Sequence, residues 1–107
     1  MAQFDDREKA QEAKFARDGE LRFKAEARRN KLLGLWAAEQ MGVSGDAAAA
    51  YAKEVVAADF EEAGDHDVLH KVAGDLGAKG VAVTEQQIRV KMDQLMAEAI
   101  MQVKAGT

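Results

Sequence analysis

The most chemically suggestive residues of this chain are His66 and His70, which stand four positions apart in the sequence HDVLH. On a helix both rings would share one face, and Asp67 follows the first histidine as glutamate does in H-E-x-x-H zinc sites. Asp67 is one methylene shorter than glutamate, and the chain contains no third histidine and no cysteine. We therefore expect solvent-facing histidines on a short helix, with no metal site and no hydrolase centre.

A second suggestive stretch is GDLGAKG, residues 74–80, in which glycines surround Lys79. A Walker phosphate loop, G-x-x-x-x-G-K-[ST], follows a strand and has a hydroxyl residue directly after its lysine. Here Gly80 follows Lys79, and the segment comes after a predicted helix. The Walker interpretation therefore fails, and only a looser contact between Lys79 and a phosphate stays open.

Nothing else in the sequence indicates catalysis. The only serine, Ser44, lies where a helix N-cap is expected, and the absence of cysteine excludes a thiol nucleophile and a disulfide scaffold. The carboxylates fall at positions expected to be exposed, where nothing would raise their pKa for acid–base work. We predict that the protein is not an enzyme and has no catalytic residues.

The composition favours one small helical domain. The 107 residues are 48% hydrophobic and 32% charged, with no proline and many good helix formers. No apolar stretch approaches the roughly 18–20 residues of a membrane span, and the N-terminus lacks the apolar core of a signal peptide. We expect a cytoplasmic protein without direct membrane insertion.

Periodicity and capping signals divide the chain into four helices, which predicts an all-α fold: a small four-helix bundle with a long, partly mobile N-terminal helical segment. The second helix would start at an N-cap on Ser44 or Asp46, and the fourth at a capping box from Thr84 to Gln87. The predicted helices span Phe4 to Met41, Ser44 to Gly64, Asp65 to about Gly77–Gly80, and Thr84 to about Val103.

The front of the first helix has too few apolar residues to hold itself together. Of residues 4–31, 16 are charged, and the large apolar side chains are only Phe4, Phe15, Leu21 and Phe23. Gly19 further weakens the helix by about 1 kcal/mol relative to alanine. We therefore divide the chain into a segment of residues 1–20, flexible or frayed when free, and a bundle of residues 21–107.

Charge is polarised along the chain. Residues 1–20 carry a net charge of −2, residues 22–31 carry +4, and residues 32–107 carry −6. The basic stretch from Arg22 to Lys31 surrounds Phe23 and could contact nucleic-acid phosphates, which is the alternative function. The overall charge of −4 disfavours that role, and a protein-binding surface is the favoured interpretation.

Long blocks of the sequence resemble a known family. FDDREKAQEAKF, ARRNKLLGLWAAEQMG, AYAKEVVAADFEEAGDHDV and KVAGDLGAKG, in that order along almost the whole chain, are similar to the zeta subunits that inhibit bacterial F-type ATP synthases. The resemblance implies a four-helix bundle with a mobile N-terminal segment. That segment would enter the catalytic head between nucleotide-binding subunits, beside the rotor, and block ATP hydrolysis while leaving synthesis comparatively free.

The resemblance also implies site residues and partners. The partner would be the catalytic head, with no nucleic acid, and the free protein would be a monomer. Weak binding of ADP or ATP to the bundle is implied, for which Arg28, Arg29 and Lys79 are candidates. Gly19 stands where we would expect alanine in family members. The inhibitory segment would be Phe4, Asp5, Asp6, Arg7, Glu8, Lys9, Ala10, Glu12, Ala13, Lys14 and Phe15, and the bundle anchor Leu32, Leu33, Gly34, Leu35 and Trp36.

Overall fold

The computed structural model describes the backbone of residues 2–61 and 65–106, and the side chains of residues 19–58 and 66–106. Within these ranges the chain forms four helices and no strand: α1 (Ala2–Gln40), α2 (Gly45–Glu61), α3 (Asp65–Ala78) and α4 (Glu85–Lys104). The predicted all-α fold of four helices is confirmed. The end predicted for the second helix, Gly64, lies outside the described residues.

Glycine ends two of the helices in the same way. At the end of α1, Gly42 has φ +74°, the Val43 amide donates to the carbonyl of Ala38, and the Gly42 amide donates to the carbonyl of Glu39. This is a Schellman motif, which requires a left-handed residue that glycine adopts without strain. α3 ends with the same pattern at Gly80, where φ is +76°. The glycines therefore set the lengths of α1 and α3.

A reciprocal capping box starts α4. The Gln87 amide donates to Oγ1 of Thr84 at 3.1 Å, and the Thr84 amide donates to Oε1 of Gln87 at 2.9 Å. Two of the amides that a helix N-terminus leaves without intrahelical partners are thereby satisfied. The capping box predicted from the sequence is confirmed.

The core lies where α1 crosses the other three helices. α1 packs along α2 and α4, and α3 closes the bundle against both of them. Apolar residues at helical spacing on each helix point into this centre, as the periodicity predicts. Trp36 and Tyr51 are half-buried at its edge. The buried cluster consists of Leu33, Ala37, Val55, Val68, Val72, Leu76, Ile88, Met92 and Leu95.

α1 and α2 approach most closely at Gly34. A Cβ atom on Gly34 would stand 2.6 Å from Cα of Ala52 and 3.2 Å from Cγ2 of Val55. Gly34 therefore lets the two helix backbones touch, and the contact fixes the position of α1 along α2.

α1 is far longer than the bundle it joins. Its 39 residues span about 58 Å, whereas the 17 residues of α2 and the 20 of α4 span about 26 and 30 Å. The principal dimensions of the molecule are 64 × 25 × 23 Å. None of the helices in the described part of the chain is long and apolar enough to cross a membrane.

Candidate functional site

The predicted inhibitory segment forms the first half of α1. The helix continues without interruption from Ala2 through Gly19 to Gln40. Gly19 and Glu20 are exposed, Leu21 is half-buried, and Ala25 is the first fully buried side chain among those described on α1. The division of the chain after residue 20 stays a prediction. The side chains from Phe4 to Phe15 lie outside the described ones, so their roles stay predictions too.

Where α1 meets the end of α4, the surface opens into a groove of about 580 Å³, which we call the basic groove. Arg28 is held there by a hydrogen bond from its Nη1 to Oε1 of Gln102, at 3.0 Å. Phe23 is 60% exposed at the groove. Cations of α1 and apolar side chains of three helices thus line the same surface. Its lining is Phe23, Lys24, Ala27, Arg28 and Lys31 of α1, Val56 of α2, Val103 of α4, and Gly106.

The three candidate nucleotide-binding residues are not brought together. Arg28 lines the basic groove, whereas Lys79 lines a separate cleft of about 440 Å³ next to Tyr51, Glu54 and Asp75. Carboxylates beside Lys79 disfavour a phosphate in that cleft.

Arg29 is buried rather than part of the basic face. It is 3% exposed, and its Nε and Nη2 both donate to Oδ1 of Asn30, at 3.0 and 2.9 Å. Asn30 is fully buried as well, and among the described residues its Nδ2 has no hydrogen-bond partner. From the sequence we grouped Arg29 with the basic stretch from Arg22 to Lys31, because a charged residue in such a run is usually exposed.

A polar network between α2 and α3 was not predicted. The hydroxyl of Tyr51 donates to Oδ2 of Asp75 at 2.8 Å, and Nζ of Lys71 lies 3.2 Å from the same oxygen. Nζ of Lys71 also lies 3.6 Å from Oε2 of Glu54 and 5.4 Å from the centroid of the Tyr51 ring. Burial and the two neighbouring carboxylates raise the pKa of Tyr51 well above its usual value. Only the Lys71–Asp75 spacing, four residues on one helix, was visible in the sequence.

His66 and His70 stack on one another at the start of α3. Their ring centroids are 5.6 Å apart, both residues are exposed, and Nδ1 of His70 lies 3.5 Å from Oε1 of Glu85. In the part of the chain that the structure describes, no group of three or more His, Cys, Asp or Glu side chains could hold a metal ion. The exposed histidines on a short helix agree with the prediction.

The fold is that of a small all-α protein, in which a compact helical bundle carries one helix about twice its own length. The chain belongs to the ATPase inhibitor subunit zeta family, whose family model matches residues 1–102. A structure solved in solution by NMR is 56% identical and has a TM-score of 0.71, with 81% of this chain and 99% of that chain covered. No curated protein matches the chain. The family resemblance drawn from the sequence is thereby confirmed.

Proposed function

We propose that this protein inhibits ATP hydrolysis by an F-type ATP synthase by inserting residues 1–20, as a helix, into an interface between nucleotide-binding subunits of the catalytic head. The observation that supports this mechanism is the length of α1. The helix spans about 58 Å, while the bundle needs about half of that length. The other half is available to a partner. The protein then acts as a regulatory, non-catalytic subunit at the cytoplasmic face of the membrane, and is a monomer when free.

The composition of the segment fits insertion into a groove. Phe4 and Phe15 are eleven residues apart and project about 20° from one another on a helix of about 3.6 residues per turn. They can fill pockets along one face, with Arg7, Glu8 and Lys14 paired at the rim. Ordering a segment that lacks its own core costs about 2–5 kcal/mol, which the partner's apolar surface must offset.

The mechanism is tested by removing the aromatic side chains of Phe4 and Phe15. Phe4→Ala combined with Phe15→Ala is expected to weaken inhibition of the purified catalytic head by at least tenfold, because two buried aromatic anchors would each contribute more than about 1 kcal/mol. Deletion of residues 1–18 is expected to abolish inhibition while the bundle keeps its helical circular-dichroism signal. The measurement is the rate of ATP hydrolysis against inhibitor concentration.

The matched control is Arg17→Ala combined with Glu20→Ala, which changes two residues of the segment on the helix face opposite Phe4 and Phe15. This control is expected to inhibit nearly as strongly as the wild type. Full inhibition by the protein without residues 1–18 would show that the segment is not the inhibitory element.

The alternative function, nucleic-acid binding through the stretch Arg22 to Lys31, receives less support. Arg29 is buried, and Arg22 forms an ion pair with Glu26 at 3.4 Å. Weak binding of ADP or ATP to the bundle stays a proposal. Arg28 in the basic groove is its better-placed candidate, because Glu54 and Asp75 line the same cleft as Lys79.

A further inference from the structure

We propose that the basic groove is a second docking surface, which receives an acidic amphipathic helix of the same partner that receives residues 1–20. This inference rests on the proposed function and adds to it a contact made by the bundle itself. Its basis is the combination of an apolar floor, a row of cations and the position of the groove along α1.

The cations form one row. Lys24, Arg28 and Lys31 are spaced by four and three residues, so they follow one edge of α1 over about 10 Å, or two helical turns. The stretch of residues 22–31 carries +4, against −6 for residues 32–107. A helix with a row of carboxylates at the same spacing complements this edge of α1. The net negative charge of residues 32–107 repels such an acidic helix from the rest of the bundle.

The floor of the groove is apolar. Phe23 is 60% exposed there, and Val56 and Val103 contribute half-buried aliphatic surface. Water on this floor is displaced favourably only by an occupant with apolar side chains of its own. An amphipathic helix offers both an apolar stripe and carboxylates beside it, which is the pattern of helix-in-groove recognition.

One side of the groove is also preorganised. The hydrogen bond from Arg28 to Gln102 holds the guanidinium group beside the floor. A carboxylate that binds there therefore costs less side-chain entropy than it would with a freely rotating arginine.

The position of the groove identifies the partner. α1 is a single helix, so Phe15 and Lys24 are about 14 Å apart along one axis. A partner that encloses the inhibitory segment therefore lies next to the groove. In this conformation the chain's own segment extends away along α1, so it does not occupy the groove itself.

The experiment uses the full-length protein and the purified catalytic head. Affinity is measured by isothermal titration calorimetry with unlabelled protein, because Gly106 lines the groove and a label at the C-terminus would lie beside it. The rate of ATP hydrolysis is measured in parallel. The first variant combines Lys24→Glu with Lys31→Glu, and the second is Phe23→Ala, whose side chain is too exposed for its loss to open the core. The controls are Lys53→Glu with Arg89→Glu, which matches the charge change, and Val90→Ala, which is 51% exposed in the wild type.

Both groove variants are expected to bind the head about tenfold more weakly than their controls, and the charge variant is expected to lose most of the salt dependence of wild-type binding. Inhibition at saturating concentration is expected to stay complete, because residues 1–20 are intact. Equal affinity of groove variants and controls would overturn the proposal and leave the inhibitory mechanism standing. Binding without inhibition by the wild type would instead refute the inhibitory mechanism alone.

Other occupants of the groove give different results. A short RNA or ADP would be the ligand of the groove if it bound the wild type but not the charge variant, and if the wild type and the charge variant bound the head with equal affinity. A sedimentation mass of two chains that the charge variant reduces to one would assign it to a second copy. Either result would overturn the proposal.

Discussion

At the scale of single residues, Tyr51 ties two helices together through a charged acceptor. Its hydroxyl donates to Asp75 across the α2–α3 contact, and Lys71 neutralises part of the charge of that carboxylate. A hydrogen bond to a charged group stabilises a protein more than one between neutral groups. The contact was invisible in the sequence because it joins residues 24 positions apart.

The raised pKa of Tyr51 has a defined pH dependence. The folded state favours the protonated phenol, because burial and the carboxylates disfavour the phenolate. The resulting stabilisation is fully present below about pH 10, the ordinary tyrosine pKa, and is lost as the pH rises through the higher pKa of the folded state. Alkaline conditions above pH 10 are therefore expected to destabilise the protein.

Tyr51 is the only tyrosine, so its ionisation can be followed directly by phenolate absorbance. The phenol of Tyr51 is expected to titrate well above pH 10 in the folded protein. In denaturant it is expected to titrate near pH 10. Tyr51→Phe is expected to lower the free energy of unfolding by about 1–2 kcal/mol at neutral pH. Identical titration curves in both states would mean that the hydrogen bond to Asp75 does not form in solution.

At the scale of helices, two glycines of α1 occupy opposite environments. Gly34 touches the backbone of Ala52, whereas a Cβ at Gly19 would meet nothing within 4 Å. The same substitution is therefore expected to have opposite effects at the two positions. Gly34→Ala forces α1 and α2 apart and should destabilise the protein by about 1–3 kcal/mol.

Gly19→Ala removes the backbone entropy of glycine at an exposed helical position, and should stabilise α1 locally by up to about 1 kcal/mol. Urea unfolding measures the loss of stability in Gly34→Ala, and helicity by circular dichroism measures the gain in helix content in Gly19→Ala. A neutral Gly34→Ala would mean that α1 and α2 are not in backbone contact at this point.

Also at this scale, the helix ends were predictable and the packing partners were not. Gly42, Gly80 and Thr84 act through bonds to residues three to five positions away, so the local sequence contains the whole motif. The close contact at Gly34 depends on Ala52, and the burial of Arg29 depends on how neighbouring helices cover it. The basic groove combines residues of three helices, and no local pattern brings Val103 next to Phe23.

At the scale of the whole molecule, the length of α1 dominates the shape. The radius of gyration is 17.1 Å, whereas a compact domain of this size has about 13 Å. Small-angle X-ray scattering of the free protein is expected to give an elongated particle with a maximum dimension near 64 Å. A radius near 13 Å would show that the first half of α1 folds back onto the bundle in solution.

The uninterrupted course of α1 also couples the angular phase of the proposed inhibitory segment to that of the bundle. Each residue of an α-helix turns the chain by about 100°, so the angular position of any residue in the first half of α1 is set by the number of residues between it and the contact of Gly34 with Ala52. One residue inserted after Gly19 would rotate the segment by about 100° relative to the basic groove. Seven inserted residues would nearly restore its phase, but would move it about 10 Å farther away. If the proposed segment and the basic groove bind one partner, the number of residues between them determines whether both can engage it at once, independent of which side chains either surface carries.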